Sequence, residues 1–279
     1  MPRALTFYAF KNYVECPLKH LRQNINRDKP ITMQDEYNTV YGTVVQKMFE
    51  MFYNDQIWRK GKEARTILKD KVPKVFAEIV AKKNIFWGEH EGGKQLIIDE
   101  CIVAVDHGID TVRDYKLLAP YAKSEVNTYA YITKADQIGG RIDFVFKGDG
   151  EIRIFDGKGS KYKDRYLDHR QLFWYALSYY LLHRKMPNSL WYWFYRFPED
   201  PLLEVEFTID TLKELKAEII DVMQKIKKRQ FKATPSSKAC KFCPYVGECK
   251  FKADKTNKNK SILPEGTSGF VELGLDDDE

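Results

Sequence analysis

Apolar residues recur every three or four positions through the first third of the chain, the mark of helices that bury one side. Tyr8, Tyr13, Leu18 and Leu21 keep that spacing, Val40–Tyr53 carries a second stripe, and Ala64–Ala81 and Leu96–Leu118 predict longer amphipathic helices. After Pro120 the period falls to two. Val126–Ile132 is rich in β-formers, Asp136–Gly140 reads as a turn, and Arg141–Phe146 alternates as a strand does. Gly148-Asp149-Gly150 is a tight connection into a second alternating strand, Glu151–Asp156. Helical spacing returns over Leu167–Leu182. Two further strands are predicted at Leu190–Phe197 and Leu203–Phe207, then a helix with a basic end at Ile209–Gln230.

These elements predict a mixed α/β fold. A helical region over 1–120 leads into a β-β-β-α-β-β sheet unit over 121–235, followed by a cysteine-bearing segment over 236–254. Beyond it, 255–279 reads as a mobile linker and acidic tail, because too little apolar surface remains there to offset the entropy of ordering. A chain of 279 residues holds one large domain or two small ones. No run of about 18 apolar residues is present, so no membrane span is expected. The start, Met1 to Leu5, lacks the apolar region of a signal peptide, which points to the cytoplasm of a bacterial, archaeal or phage-infected cell.

The formal charge is +6, but the last ten residues hold five acids and no base, leaving +11 on the remainder. Lys225–Lys260 is especially lysine-rich. A basic body suits a polyanion such as DNA, and a solvated surface with a solubilising tail is the alternative. The acidic tail is a candidate docking segment for a replication or recombination protein.

Chemistry concentrates on the two central strands. Asp143 follows a Gly-Gly pair, while Asp156 and Lys158 are two residues apart and so share one face of an extended chain. Pairing through the Gly148–Gly150 turn brings Asp143 to the same place. Two close carboxylates repel unless a cation lies between them. Mg²⁺ or Mn²⁺ suits an all-oxygen set, to which the Gly157 carbonyl can add, and Lys158 can steady charge on a phosphate. An isolated Asp-x-Lys is common by chance, so the reading depends on context.

The context is a resemblance. Gly140-Arg141-Ile142-Asp143, Asp156-Gly157-Lys158 and Gln171-x-x-x-Tyr175 follow one another as the G-x-x-D, D/E-x-K and Q-x-x-x-Y motifs do in RecB-type nuclease domains of the PD-(D/E)xK superfamily. The resemblance implies a metal-dependent DNA nuclease on a restriction-endonuclease-like core. By match, Asp143 and Asp156 are metal ligands, Lys158 is catalytic, and Gln171 and Tyr175 are accessory. One position departs from the pattern: Gly42-Thr43-Val44-Val45-Gln46 has glutamine where the family carries a histidine ligand. Gln46 can still offer a carbonyl oxygen. Glu125 matches a further family glutamate, with a surface charge as its alternative, and Glu50 reads as a helix-surface acid.

Cys240-x-x-Cys243 and Cys249 form a C-x₂-C-x₅-C cluster, and Cys16-Pro17 lies far upstream. Four thiolates can hold zinc or an iron–sulfur cluster. The layout resembles the iron–sulfur subgroup of these nucleases, which includes AddB-type and CRISPR-associated adaptation nucleases. That resemblance implies a [4Fe–4S] cluster on Cys16, Cys240, Cys243 and Cys249, clasping the two ends. Cys101 stands alone in an apolar helix and reads as core. The five histidines lack metal spacing. Trp191–Tyr195 invites a base-stacking reading, but alternation sends at least one of its faces into the core.

Overall fold

The computed structural model describes residues 4–29, 35–83, 85–86, 93–118, 122–163, 168–241 and 243–253. The predicted tail at 255–279 lies outside them, as does the start of the predicted Leu167–Leu182 helix. Thr6 ends strand β1 (Leu5–Thr6) and caps helix α1 (Phe7–Glu15), its Oγ1 accepting from the Ala9 N–H at 3.3 Å. The helix stops at Cys16, whose backbone is extended ahead of Pro17. α2 (Pro17–His20) and a wider π-type turn over Leu21–Asn26 follow. The N-terminal region is therefore not purely helical, because β1 joins the main sheet.

Helices α3 (Tyr37–Asn54), α4 (Glu63–Val80) and α5 (Lys94–Asp114) match the predicted stripes closely. Short strands β2 (Asp35–Glu36) and β3 (Ile85–Phe86) pair in parallel beside them. The sheet continues with β4 (Lys123–Tyr131), β5 (Gln137–Gly148), β6 (Glu151–Lys158), β7 (Ser189–Phe194) and β8 (Leu202–Val205). Helix α6 (Arg170–His183) falls between β6 and β7; α7 (Ile209–Lys227) and the short α8 (Ser237–Lys241) close the chain. The sheet is mixed: β4–β5, β5–β6 and β7–β8 are antiparallel, while β1–β5 and β6–β7 are parallel.

Each face of the sheet has its own apolar layer. Phe10 of α1, Leu172 and Trp174 of α6, and Leu215 and Ile219 of α7 pack with Ile138, Ile142, Val145 and Ile154. Val44, Phe49 and Phe52 of α3, with Leu68 and Val105, pack with Phe144, Phe146 and Phe155 on the other face. β7 lies between β6 and β8 and feeds both layers, with Tyr192 and Phe194 on one side and Trp193 and Tyr195 on the other. The Trp191–Tyr195 run is thus a central strand, with no face open for bases.

The predicted turn at Asp136–Gly140 is displaced. The chain reverses over Ile132–Asp136, where the Ile132 N–H donates to the Asp136 carbonyl at 2.9 Å, and Gln137–Gly140 already belong to β5. Gly139 serves packing instead of turning, whereas Gly140 has room for a Cβ. A Cβ on Gly139 would meet Cε1 of Tyr129 at 2.6 Å, and one on Gly140 would touch Trp174 Nε1 at 3.9 Å.

The register of β5 creates a fork. One edge pairs with β4 over Gln137–Val145. The opposite edge pairs with β1 at Ile138–Gly139 and with β6 only from Phe144 onward. Between these two partners, Gly140 to Asp143 face a gap in the ladder.

Candidate active site at the fork of the sheet

Asp143 stands at the fork, where β6 peels away from β5. The Gly157 N–H, which has left the β5 backbone, is taken up by the Asp143 carboxylate: Oδ2 accepts it at 2.8 Å. Burial, and then the charge of Asp156, hold the Asp143 carboxyl well above the usual carboxylate range, with Glu125 adding and the Gly157 N–H opposing.

Asp156 is 1% exposed. Its Oδ2 faces Lys158 Nζ at 2.5 Å as an ion pair without the alignment of a hydrogen bond. Lys158 Nζ also donates to Gln171 Oε1 at 3.0 Å, and Gln171 Nε2 donates to the Tyr175 hydroxyl at 3.0 Å. The i, i+4 spacing on α6 thus carries a chain of contacts from the lysine inward. Burial alone would pull the Lys158 ammonium down, but the Asp156 carboxylate outweighs it and the lysine is raised. It is held as a cation.

Glu125 sits on β4 opposite Asp143, between the pairs Ser124–Phe144 and Val126–Ile142. Its backbone is left-handed (φ 56°), a conformation costing a non-glycine residue about 1–3 kcal/mol and concentrated at functional sites. Its Oε1 accepts from Gln46 Nε2 at 3.1 Å, and its Oε2 pairs with Arg141. The Tyr195 hydroxyl donates to Gln46 Oε1. Gln46 is therefore gripped at both ends, and the oxygen expected to reach a metal is bound by a tyrosine. Glu50 lies outside this group and pairs with Lys47 at 2.8 Å on the helix surface.

Glycine sets how closely α3 approaches. Gly42, at the head of the Gly-x-x-x-Gln pattern, packs on Gly159 just past β6, where a Cβ on Gly159 would lie 2.7 Å from Gly42 Cα. That contact lets Gln46, one helical turn on, reach Gly157. Arg196 fixes the same strand end: its Nε donates to the Gly159 carbonyl at 3.1 Å, Nη1 reaches Glu100 at 2.8 Å, and the guanidinium stacks 3.5 Å from the Tyr41 ring.

Sequence reasoning missed Tyr195, Arg141, Arg196 and Tyr8. Tyr8 falls on the predicted apolar stripe, yet it is 66% exposed, with its hydroxyl end turned toward Gln171. Desolvation of that hydroxyl, and then the Asp156 charge, raise its pKa. An exposed tyrosine on a helix whose neighbours Phe7 and Phe10 are buried is the only signal, and it needs the fold to be read.

Asp156 Oδ2 and Glu125 Oε2 are buried and are met by cations, Lys158 and Arg141, without accepting a hydrogen bond, beside an Asp143 carboxyl that is costly to ionise alone; such a group of oxygens suits a hard cation. Even so, among the described residues no three His, Cys, Asp or Glu side chains are gathered as a closed metal cage. Lys158 occupies the neutralising position at Asp156.

The four cysteines meet at the opposite end of α1. Cys16, Cys240, Cys243 and Cys249 line one largely apolar pocket with Leu18, Lys19, Arg22 and Tyr245. Burial raises the Cys243 thiol, with Cys16 and Cys240 adding to the shift. Hydrogen bonds join the chain ends around this pocket: Tyr13 to the Gln230 carbonyl at 2.6 Å, Thr234 to Glu15 at 3.1 Å, and Tyr245 to Asp28 at 2.9 Å. Cys101 is fully buried in α5, where burial pushes its thiol up to about 12. His20 is also buried, its Nδ1 2.7 Å from the Ala9 carbonyl.

A mixed sheet flanked by helices, with an acidic pair and a lysine at its fork, fits the core of a nuclease class. The family model described as the PD-(D/E)XK nuclease superfamily matches residues 4–250, and the chain belongs to that superfamily. Among solved structures it is similar to SSO0001, at 14% identity and a TM-score of 0.36, over 88% of this chain and 96% of that one. It is also similar to protein VC1899 from Vibrio cholerae, at 10% identity and a TM-score of 0.26, over 81% of this chain and 57% of that one. No curated protein matches the sequence. Among the described residues no helix is long and apolar enough to cross a membrane.

Proposed function

We propose that the protein is a Mg²⁺- or Mn²⁺-dependent deoxyribonuclease that degrades DNA from ends, single strands in particular, in recombination, repair, phage DNA processing or CRISPR adaptation. The observation that carries this reading is the convergence of Asp143, Asp156 and Lys158 at the fork, with Gln171 and Tyr175 behind the lysine. Asp143 and Asp156 would hold the cation, with Glu125 and the Gly157 carbonyl beside them, while Gln46 is committed to Tyr195 and Glu125. The cation would supply Lewis-acid polarisation of the scissile phosphate and a lowered pKa for bound water. Lys158, kept charged, donates to a phosphate oxygen as negative charge develops, and Gln171 aims it. The Tyr8 hydroxyl adds a donor at the mouth.

The same proposal gives Cys16, Cys240, Cys243 and Cys249 a [4Fe–4S] cluster. The four thiols line one shared pocket, and their layout resembles that of the iron–sulfur subgroup, which favours a cluster over a single zinc ion. Its role is to clasp 1–120 to 236–254 around the core at 121–235.

A cleavage assay across divalent metals tests the function. Linear single strands, and duplexes with free ends, should shorten progressively in Mg²⁺ or Mn²⁺ and survive in chelator. Covalently closed single-stranded circles should last much longer. Equal loss of circles and linear strands would replace the exonuclease with an endonuclease. Binding without cleavage in any metal would leave a DNA-binding module, the reading that the engaged Gln46 favours.

A further inference from the structure

Outside the fork, the most unusual surface is the uncovered face of β4. Its even-numbered residues, including Ala130, face inward, and Val126 and Ile132 join the layer under α6. The odd-numbered residues therefore point the other way. Tyr129 is 56% exposed and Tyr131 is 63% exposed, two large rings in a row that no helix among the described residues covers. Tyr129 does not project freely. Its ring lies across Gly139, the residue opposite it on β5, so closely that a Cβ there would sit 2.6 Å from Cε1. One ring face rests on backbone and the other is open. Trp174 backs the same stretch from below, its Nε1 3.4 Å from the Gly139 carbonyl.

The stripe has a direction. Asn127 comes next along β4, opposite Arg141, whose side chain is 65% exposed and pairs with Glu125 at the fork. Residues 127–131 and 137–141 contain no acid and a single base, Arg141, already paired with Glu125, so the surface is aromatic and free of repelling charge until it reaches Glu125 and Asp143. At strand rise, Tyr129 and Tyr131 are about 7 Å apart, and Tyr129 is about 13 Å from Glu125. Alternate residues of a strand thus present rings at a spacing that suits successive bases of an extended single strand, with the Arg141–Glu125 pair at the end nearest the fork, where a phosphate would compete with Glu125 for the guanidinium.

We infer that Tyr131, Tyr129 and Arg141 form a track on which unpaired bases of a DNA single strand stack as the strand approaches the candidate active site. The inference rests on the proposed nuclease function and names its substrate as single-stranded. A duplex offers no base faces to such a platform, since its bases are already stacked. Because stacking reads only the π-face, the track is indifferent to sequence.

The test uses the full chain and an oligothymidylate carrying 2-aminopurine, whose fluorescence is quenched on stacking, with a duplex of equal length alongside. Wild-type protein should bind the single strand and quench the probe. Tyr129→Ala and Tyr131→Ala should each weaken that binding about tenfold and relieve the quenching, while Tyr→Phe at either position retains both. Duplex binding should change little. Tyr131→Ala removes a mostly exposed ring and keeps the test decisive if Tyr129→Ala fails to fold. Unchanged affinity and quenching in Tyr131→Ala would overturn the track, as would wild-type protein that binds only duplex. If wild type binds and quenches but cleaves nothing in any metal, the nuclease reading fails while the variants still decide the track.

Discussion

The Tyr195 hydroxyl occupies the space that a side chain on Gly157 would fill. A Cβ at Gly157 would also lie 2.6 Å from Gln46 Oε1. Glycine between Asp156 and Lys158 is thus required by the partner strand and by α3, beyond any ligand role for its carbonyl. Gly157→Ala should destabilise the protein by about 1–3 kcal/mol through overpacking and abolish cleavage, because the fork must open to admit the methyl group. Gly247→Ala, where nothing lies within 4 Å, should stay within about 0.5 kcal/mol of wild type. Denaturant melts of the two variants check this; equal stability would mean that β6 relaxes freely.

Asp143 is costly to ionise beside Asp156. Asp143→Asn should therefore raise the melting temperature in chelator, since an amide oxygen still accepts the Gly157 N–H and the repulsion is removed. The same variant, like Asp156→Ala, should lose metal-dependent cleavage with the fold intact. Lys158→Ala should lose cleavage while Mn²⁺ still binds, as read by calorimetry. Full activity in either aspartate variant would remove the fork from the mechanism.

Anaerobically purified protein should be brown, with about four irons and four sulfides per chain. Cys16→Ser should lose the chromophore as completely as Cys243→Ser, because both thiols line one pocket despite their separation in sequence. Cys101→Ser should keep it. Colourless protein with one zinc per chain would decide for zinc.

His20 gives a pH signature. Burial holds its pKa below the ordinary value of about 6.5, against a smaller opposing effect from the Ala9 carbonyl. Below pH 6.5 the unfolded chain takes up a proton that the folded protein resists, so stability falls as pH falls through that window and is regained above it. His20→Gln should flatten the dependence of melting temperature on pH in that range. An unchanged slope would assign it to other groups.

The sequence by itself determined the longer elements and the candidate chemistry. The 3.6-residue stripes placed α3, α4 and α5 closely, and strict alternation placed the cores of β5 and β6, because burial of one face forces those periods. Spacing on strands and helices let Asp156 with Lys158, and Gln171 with Tyr175, be placed on common faces, while their roles as a candidate site came only from the resemblance to RecB-type nuclease domains. The relations that join distant segments were decided only by the tertiary structure. Leu5–Thr6 is too short to announce a strand, and it becomes one by pairing with Ile138–Gly139. The Gly139-Gly140 pair reads as a turn because glycine permits one, but both residues lie in β5 and the ring of Tyr129 claims the space at Gly139. The sequence offers Gln46 as a possible oxygen ligand, and only the fold shows that Tyr195, 149 residues away, donates to that oxygen. A strand pattern states that a residue faces inward or outward; what it meets there is set by the element that packs across it.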